Sequence, residues 1–318
     1  MIKPVLFSSI RPLERSENIH AILKAYPGPK EYFPAYDRNY RFEVQSGKYD
    51  LLVTDDFPAF TPGKCIMIWH GIQGGKYIGL DQPGTPYYRP EMAQNMTYII
   101  SGSLYMRDIW SRCTGVPFEN ILPLGMPRTD TYIGKRKGDG HTILSGKRSY
   151  LYVPTFRDKN DTPLPDIDWD YIDSTLTDDE LFVVKSHPWY AYYSKDPVDV
   201  QNRKHIIRVS AEEPSARYLY DCDVVITDYS SIMFDAYLLD KPVVLFEKNQ
   251  GYVQSRGMYL QYPEQYSSRY ATTEQSLINL ARNAYTLGET EINCRRTVAE
   301  YCDGHVCERL CNLIEELR

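Results

Sequence analysis

The stretch Asp223-Val224-Val225-Ile226-Thr227-Asp228-Tyr229-Ser230-Ser231-Ile232-Met233-Phe234-Asp235 decides the fold class of this chain. A short β-branched apolar run ends in a polar turn, and a helical pattern follows over Ser231–Leu239. A strand that turns directly into a helix is half of a βαβ unit. Working outward, the same signature marks strands at Tyr150–Val153, Phe182–Lys185, His205–Val209 and Val243–Phe246, with helices near Pro214–Tyr220, Ser276–Leu287 and Val298–Leu317. The first half repeats it, with strands at Leu51–Thr54, Lys64–Trp69, Thr97–Ser101 and Ile121–Leu124 and a helix over Leu104–Arg112. Alternation of this kind predicts an α/β protein with parallel sheets. Gly134-Lys135-Arg136-Lys137-Gly138-Asp139-Gly140 and Gly146-Lys147-Arg148 are rich in glycine and charge, so residues 134–148 read as a linker between domains 1–133 and 149–318. Two such domains on a hinge make a cleft, and open α/β sheets bind ligands at the carboxyl ends of their strands.

Composition narrows the function. With 36 Lys plus Arg against 42 Asp plus Glu, the net charge is −6, which lacks the positive field of a nucleic-acid binder. An anionic ligand must be held by a local site. The seven cysteines, at 65, 113, 222, 294, 302, 307 and 311, are odd in number and irregular in spacing, as suits a reducing, cytoplasmic setting. The apolar run that opens the chain, Val5-Leu6-Phe7, is too short for a signal peptide, and no segment approaches the ~20 apolar residues of a spanning helix. Membrane contact, if there is any, is expected to be peripheral.

Four places combine strand ends with reactive side chains. Ser230 or Ser231 is expected to cap the helix after Thr227, leaving backbone N–H groups and the positive dipole end for a phosphate; an ordinary cap is the plain reading. His70 follows the strand ending at Trp69 and precedes Gly71, Gly74 and Gly75. Its neutral imidazole suits a general base near neutral pH, and the plain reading is a histidine bonded to a loop carbonyl. His187 also follows a strand, with Pro188 restricting it to extended geometry, against the plain reading of a strand-ending turn. Arg157, in Pro154-Thr155-Phe156-Arg157-Asp158, carries the planar fork that grips phosphate, or it pairs with Asp158 or a surface carboxylate.

Other features carry less. Cys302, His305, Cys307 and Cys311 match no zinc spacing; Cys307 and Cys311 read as one buried helix face, and no metal is expected. The glycines after His70 form neither a Walker nor a dinucleotide fingerprint. Lys135-Arg136-Lys137 reads as solvated linker, with contact to anionic lipid as the alternative. Trp189-Tyr190-Ala191-Tyr192-Tyr193 reads as an exposed loop packed on its domain, with a sugar- or base-lining role as the alternative.

Taken in order, the pieces resemble the CDP-glycerol glycerophosphotransferase family of teichoic acid and capsule polymer synthesis. The matching segments are Trp69-His70-Gly71, Gly125-Met126-Pro127-Arg128-Thr129-Asp130, Pro154-Thr155-Phe156-Arg157-Asp158, Lys185-Ser186-His187-Pro188 and Thr227-Asp228-Tyr229-Ser230-Ser231 with Phe234-Asp235. Tyr252–Gly257 and Asp303-Gly304 add weaker matches. The resemblance implies a GT-B fold of two Rossmann-like domains facing across a cleft, with no cofactor. It implies that the second domain holds a CDP-glycerol or related CDP-alditol donor through Thr155, Arg157, Thr227, Asp228, Ser230, Ser231, Asp235 and Arg256, with His187 on the pyrophosphate. His70 in the first domain would deprotonate a hydroxyl of a glycan or polyol phosphate acceptor, lipid-linked or free, so that CMP leaves.

The chain departs from the family where Ile72-Gln73-Gly74-Gly75 stands in place of the usual Thr-Pro after Trp-His-Gly, which points to a different acceptor-facing loop. Primase, single-addition and capsule-specific readings stay open, with work at the inner face of the membrane expected. The competing readings are a GT-B glycosyltransferase using a nucleotide sugar, a GT-B-shaped nucleotide-sugar epimerase, and a non-catalytic partner in an envelope-polymer machine.

Overall fold

The computed structural model of the chain describes residues 2–82, 90–140, 144, 146–157, 164–188, 190, 198–248 and 251–318. They divide into two units: Met1–Gln73 with Tyr77–Ile133 and Arg296–Arg318, and Gly74–Lys76 with Gly134–Arg295.

The first unit is a parallel sheet of β1 (Val5–Ser8), β2 (Lys30–Tyr32), β3 (Leu51–Thr54), β4 (Lys64–Met67), β5 (Tyr98–Ser101) and β6 (Ile121–Pro123), in the order β2-β1-β3-β4-β5-β6. Val5, Leu6, Phe7, Leu52, Val53, Ile66 and Ile99 are fully buried, as strands covered on both faces require. Helix α1 (Glu17–Ala25) follows β1, α2 (Tyr40–Val44) precedes β3, and α3 (Leu104–Thr114) joins β5 to β6. The start of α3 is set by Ser103, whose Oγ accepts from the Met106 N–H at 3.1 Å, and its end by Gly115 in the left-handed region.

The second unit holds β7 (Arg148–Tyr152), β8 (Glu180–Val184), β9 (Ile206–Arg208), β10 (Val224–Thr227), β11 (Val243–Phe246) and β12 (Tyr270–Ala271), ordered β12-β11-β10-β7-β8-β9 and again parallel. Its helices are α4 (Trp169–Thr175), α5 (Ala216–Asp221), α6 (Ile232–Leu238), α7 (Gly251–Arg256) and α8 (Glu274–Arg282). The strand order reverses between β7 and β10, the topological switch point at which doubly wound sheets bind nucleotides. After α8 come α9 (Glu289–Val298) and α10 (Val306–Leu317).

Several expectations are corrected here. Strands β1 and β2 precede the first strand expected from sequence. The run Val5-Leu6-Phe7 has the same character as the other central strands, whereas Lys30-Glu31-Tyr32 is an exposed edge with no apolar run to betray it. The last helix was expected over Val298–Leu317, but the chain breaks at Ala299–His305, where Gly304 has φ +92°. This last helix also belongs to the first unit rather than to a domain 149–318. Val306, Leu310 and Ile314 form its buried face, α10 packs on α1, and the Tyr26 hydroxyl donates to Glu315 Oε1 at 2.6 Å. Cys307 and Cys311 lie half-buried beside that face rather than on it.

Within the stretch 134–148 expected to be a linker, Lys137, Gly138 and Arg148 are tied to the second unit. Lys137 pairs with Asp223 at 2.8 Å, the Gly138 N–H donates to Asp221 Oδ1 at 2.6 Å, and Arg148 already belongs to β7, donating to the Ala281 and Ala284 carbonyls. Among the described residues no helix is long and apolar enough to cross a membrane.

Candidate active site

In the second unit, the ends of β7 and β10 are tied together by side chains. Thr227 Oγ1 donates to the Val153 carbonyl at 2.6 Å. Asp228 Oδ1 accepts the Thr155 and Tyr229 N–H groups at 2.8 and 2.6 Å, while Oδ2 takes Arg157 Nη2 at 2.6 Å. Arg157 also donates through Nη1 to the Thr155 carbonyl and through its N–H to the Tyr190 hydroxyl. Asp228 is therefore the hub that shapes the turn after β7 and aims the Arg157 guanidinium.

That guanidinium lies over aromatic rings. Its central carbon is 4.5 Å from the Tyr252 centroid and 5.6 Å from that of Tyr229, and the two tyrosines stack at 4.5 Å and 12°. Arg256 sits 5.9 Å from the same Tyr252 centroid. His187 packs on Phe156, the neighbour of Arg157, with ring centroids 4.8 Å apart. The carboxyl of Glu247, just past β11, is pushed up by burial and accepts from the Tyr270 hydroxyl.

Sequence reasoning passed over one cation. Gly74–Lys76 joins the second unit: Lys76 forms an antiparallel bridge with Met258, the Tyr259 N–H donates to the Gly75 carbonyl, and the Tyr266 hydroxyl donates to the Gly74 carbonyl. Lys76 Nζ then lies 6.0 Å from the Phe156 and Tyr252 centroids alike. Lys76, Arg157 and Arg256 are thus gathered around one buried tyrosine at the switch point, which suits a ligand with adjoining phosphates. No periodicity or motif rule marked Lys76, and only its place six residues after His70 was a hint.

The serines behave differently from expectation. Ser231 precedes α6 in helical geometry, φ −62° and ψ −10°, and makes no side-chain cap bond; Ser230 Oγ accepts only a long bond, 3.5 Å, from the Ile232 N–H. A capping side chain needs extended geometry to reach back to the helix, and Ser231 has none. Both serines are partly exposed beside the Asp228 turn, whereas Asp235 is buried inside α6. Asp158 and most of the aromatic stretch 189–193 lie outside the described residues; of that stretch only Tyr190 is placed, against Arg157.

In the first unit, His70 stands past β4, half-buried, with the Trp69 ring packed on its imidazole at 4.4 Å. Trp69 in turn meets Phe57 and the edge of Trp110. Among the described residues no group of three or more His, Cys, Asp or Glu is placed to hold a metal ion.

Two Rossmann-like sheets, one with a histidine past a strand end and one with cations at its switch point, define a GT-B-type protein. A solved structure of the wall teichoic acid polymerase TagF superposes with a TM-score of 0.78 over 99% of this chain and 89% of that one, at 22% identity. The family model for CDP-glycerol:poly(glycerophosphate) glycerophosphotransferase matches residues 56–316, and the chain belongs to this family. It is 28% identical over 286 residues to a teichoic acid glycerol-phosphate primase of Bacillus subtilis strain 168, covering 84% of this chain and 74% of the relative. It is 26% identical over 254 residues to a teichoic acid poly(ribitol-phosphate) polymerase of Bacillus spizizenii W23, covering 73% of this chain. That alignment spans only 41% of the polymerase.

Proposed function

We propose that this chain transfers an alditol phosphate, glycerol phosphate first among the candidates, from a CDP-linked donor to a hydroxyl of a polyol phosphate or glycan acceptor, in teichoic acid or capsular polymer synthesis. The observation that carries the reading is the meeting of separate family segments at one place: Thr155 to Arg157, His187, Asp228 and Arg256 converge at the switch point of the second unit. In this reading Arg157, Arg256, His187 and Lys76 hold the two donor phosphates, with the Ser230–Ser231 turn beside them. Asp228 and Thr227 build the cradle and do not touch the ligand themselves. His70 takes the proton of the acceptor hydroxyl as its oxygen attacks the β-phosphorus. The new O–P bond forms as the bond to CMP breaks, and the cations stabilise the negative charge that gathers on the leaving phosphate. The work is positioning and electrostatics, and the expected setting is the inner face of the membrane, where an acceptor chain is anchored.

The test sets CDP-alditols against sugar nucleotides and scores the nucleotide released, then separates the two histidines. CMP should accumulate from a CDP-alditol; UDP or GDP from a sugar nucleotide, with CDP-alditols inert, overturns the reading. His70→Ala should lower kcat by about 10²-fold or more with donor affinity kept. His187→Ala should weaken donor binding by about one to two decades, the worth of a charge-assisted hydrogen bond.

A further inference from the structure

The segment Gly125–Asp130 is not used in the proposed transfer chemistry, yet its Arg128 side chain reaches the His70 carbonyl. Arg128 is 8% exposed, and its Nη1 donates to the His70 carbonyl at 2.7 Å. Its backbone N–H donates to Asn18 Oδ1 at 3.0 Å, and Asn18 Nδ2 donates to the Trp69 carbonyl at 2.9 Å. Asn18 is 1% exposed, on α1. The Trp69 and His70 carbonyls belong to the two peptide groups that flank the His70 α-carbon. Both are held by one buried chain of contacts, so the backbone angles that aim the imidazole are fixed from both sides.

The same segment is fastened at its other end. Asp130 accepts the Val306 and Cys307 N–H groups, at 3.1 and 2.7 Å, at the start of α10, where a carboxylate also answers the helix dipole. Gly125, at φ +93°, lets the Tyr301 carbonyl come so close that a Cβ there would sit 2.3 Å from it. Glu17 Oε2, on a partly exposed side chain, stands 3.6 Å from Arg128 Nη1 and adds an ion pair to the frame.

We propose that Asn18 and Arg128 are positioning residues for His70, and that Asp130 anchors their frame to α10. Neither touches substrate; both act through the direction of the imidazole. Misplacing a reacting group by about 1 Å costs on the order of 10²-fold in rate. Arg128→Ala should therefore lower kcat by about 10- to 100-fold while the donor dissociation constant stays within about twofold. Asn18→Ala should show the same split in milder form, because it frees only the peptide group before His70.

The inference rests on the reading of His70 as the base, and a double-mutant cycle on kcat at saturating donor keeps the two apart. With His70→Ala inactive, the double variant His70→Ala/Arg128→Ala should be no slower than His70→Ala alone. Guanidinium ion at millimolar concentration should restore part of the activity of Arg128→Ala but none of the double variant's. Arg128→Lys should recover part of the loss. Losses that multiply in the double variant, or a weakened donor constant in Arg128→Ala by calorimetric titration, overturn the inference. If Arg128→Ala fails to fold, Asn18→Ala and Arg128→Lys decide by the same split of kcat from donor affinity. A His70→Ala enzyme that turns over normally instead overturns the reading of His70.

Discussion

Asp228 offers the sharpest separation of structure from ligand binding. Asp228→Asn keeps one oxygen for the Thr155 and Tyr229 N–H groups but sets a neutral amide against the Arg157 guanidinium, whose side chain is only 9% exposed. Removing one partner of a buried ion pair costs about 3–5 kcal/mol, mostly because the other charge stays buried without an answer. The retained N–H bonds place this variant at the lower end, near 3 kcal/mol. At about 2–4 °C per kcal/mol for a unit of this size, the thermal midpoint of the second unit should fall by roughly 6–12 °C. Calorimetric titration of CDP-glycerol should show weaker binding in the same variant, since a misdirected Arg157 loses its grip on phosphate. The double variant Arg157→Met/Asp228→Asn removes both charges but keeps an oxygen for the two N–H groups; its stability should return to within about 1–2 kcal/mol of the parent while donor binding stays weakened. A midpoint for Asp228→Asn within error of the parent, or a double variant as unstable as the single, refutes the reasoning.

In the proposed reading Lys76 holds the donor phosphate that CMP lacks, so Lys76→Gln should weaken CDP-glycerol by about tenfold and CMP by much less; equal losses for both, by titration, would take Lys76 off the diphosphate. Acid unfolding should report on Glu180, which Arg282 grips through Nε and Nη2 and whose carboxyl is held down to about 2. A folded pKa below the unfolded one means stability present above about pH 4.5 and lost as pH falls toward 2. Arg282→Gln should accordingly be less stable at neutral pH and show a flatter loss across that window in urea titrations at stepped pH. Lys137→Glu breaks an exposed pair with Asp223, so it should cost no more than about 1 kcal/mol and leave turnover of a soluble acceptor within twofold; a large loss of turnover would give the 134–140 segment a part in catalysis.

How far the sequence could be read depended on the range of the interaction. Strands such as β3, β10 and β11 announce themselves because every residue in them is buried, so a four-residue apolar run is the whole signal. Strand β2 pairs through its backbone at an edge, and its Lys-Glu-Tyr side chains carry no trace of that. Arg157, His187 and Asp228 stand in recognisable local segments. Their partnership, like that of Lys76 with Tyr252, is made across many tens of residues, and local pattern is blind to it. The serine cap failed for a reason of backbone geometry: residue type says that Ser231 can cap, and only its dihedral angles say that it does not. Helix α10 was visible as a helix, but an amphipathic face states that it needs a partner without stating which one.

The division of the chain has a bearing on synthesis. The first unit is not finished until Arg296–Arg318 leaves the ribosome, whereas every residue of the second has appeared by Arg295. Until α10 arrives, the face of α1 on which it packs stays uncovered and the Asp130 carboxylate waits for its two amides. The nascent chain thus completes the unit that gathers Lys76, Arg157 and Arg256 first, and closes the frame around His70 only once α10 has been made.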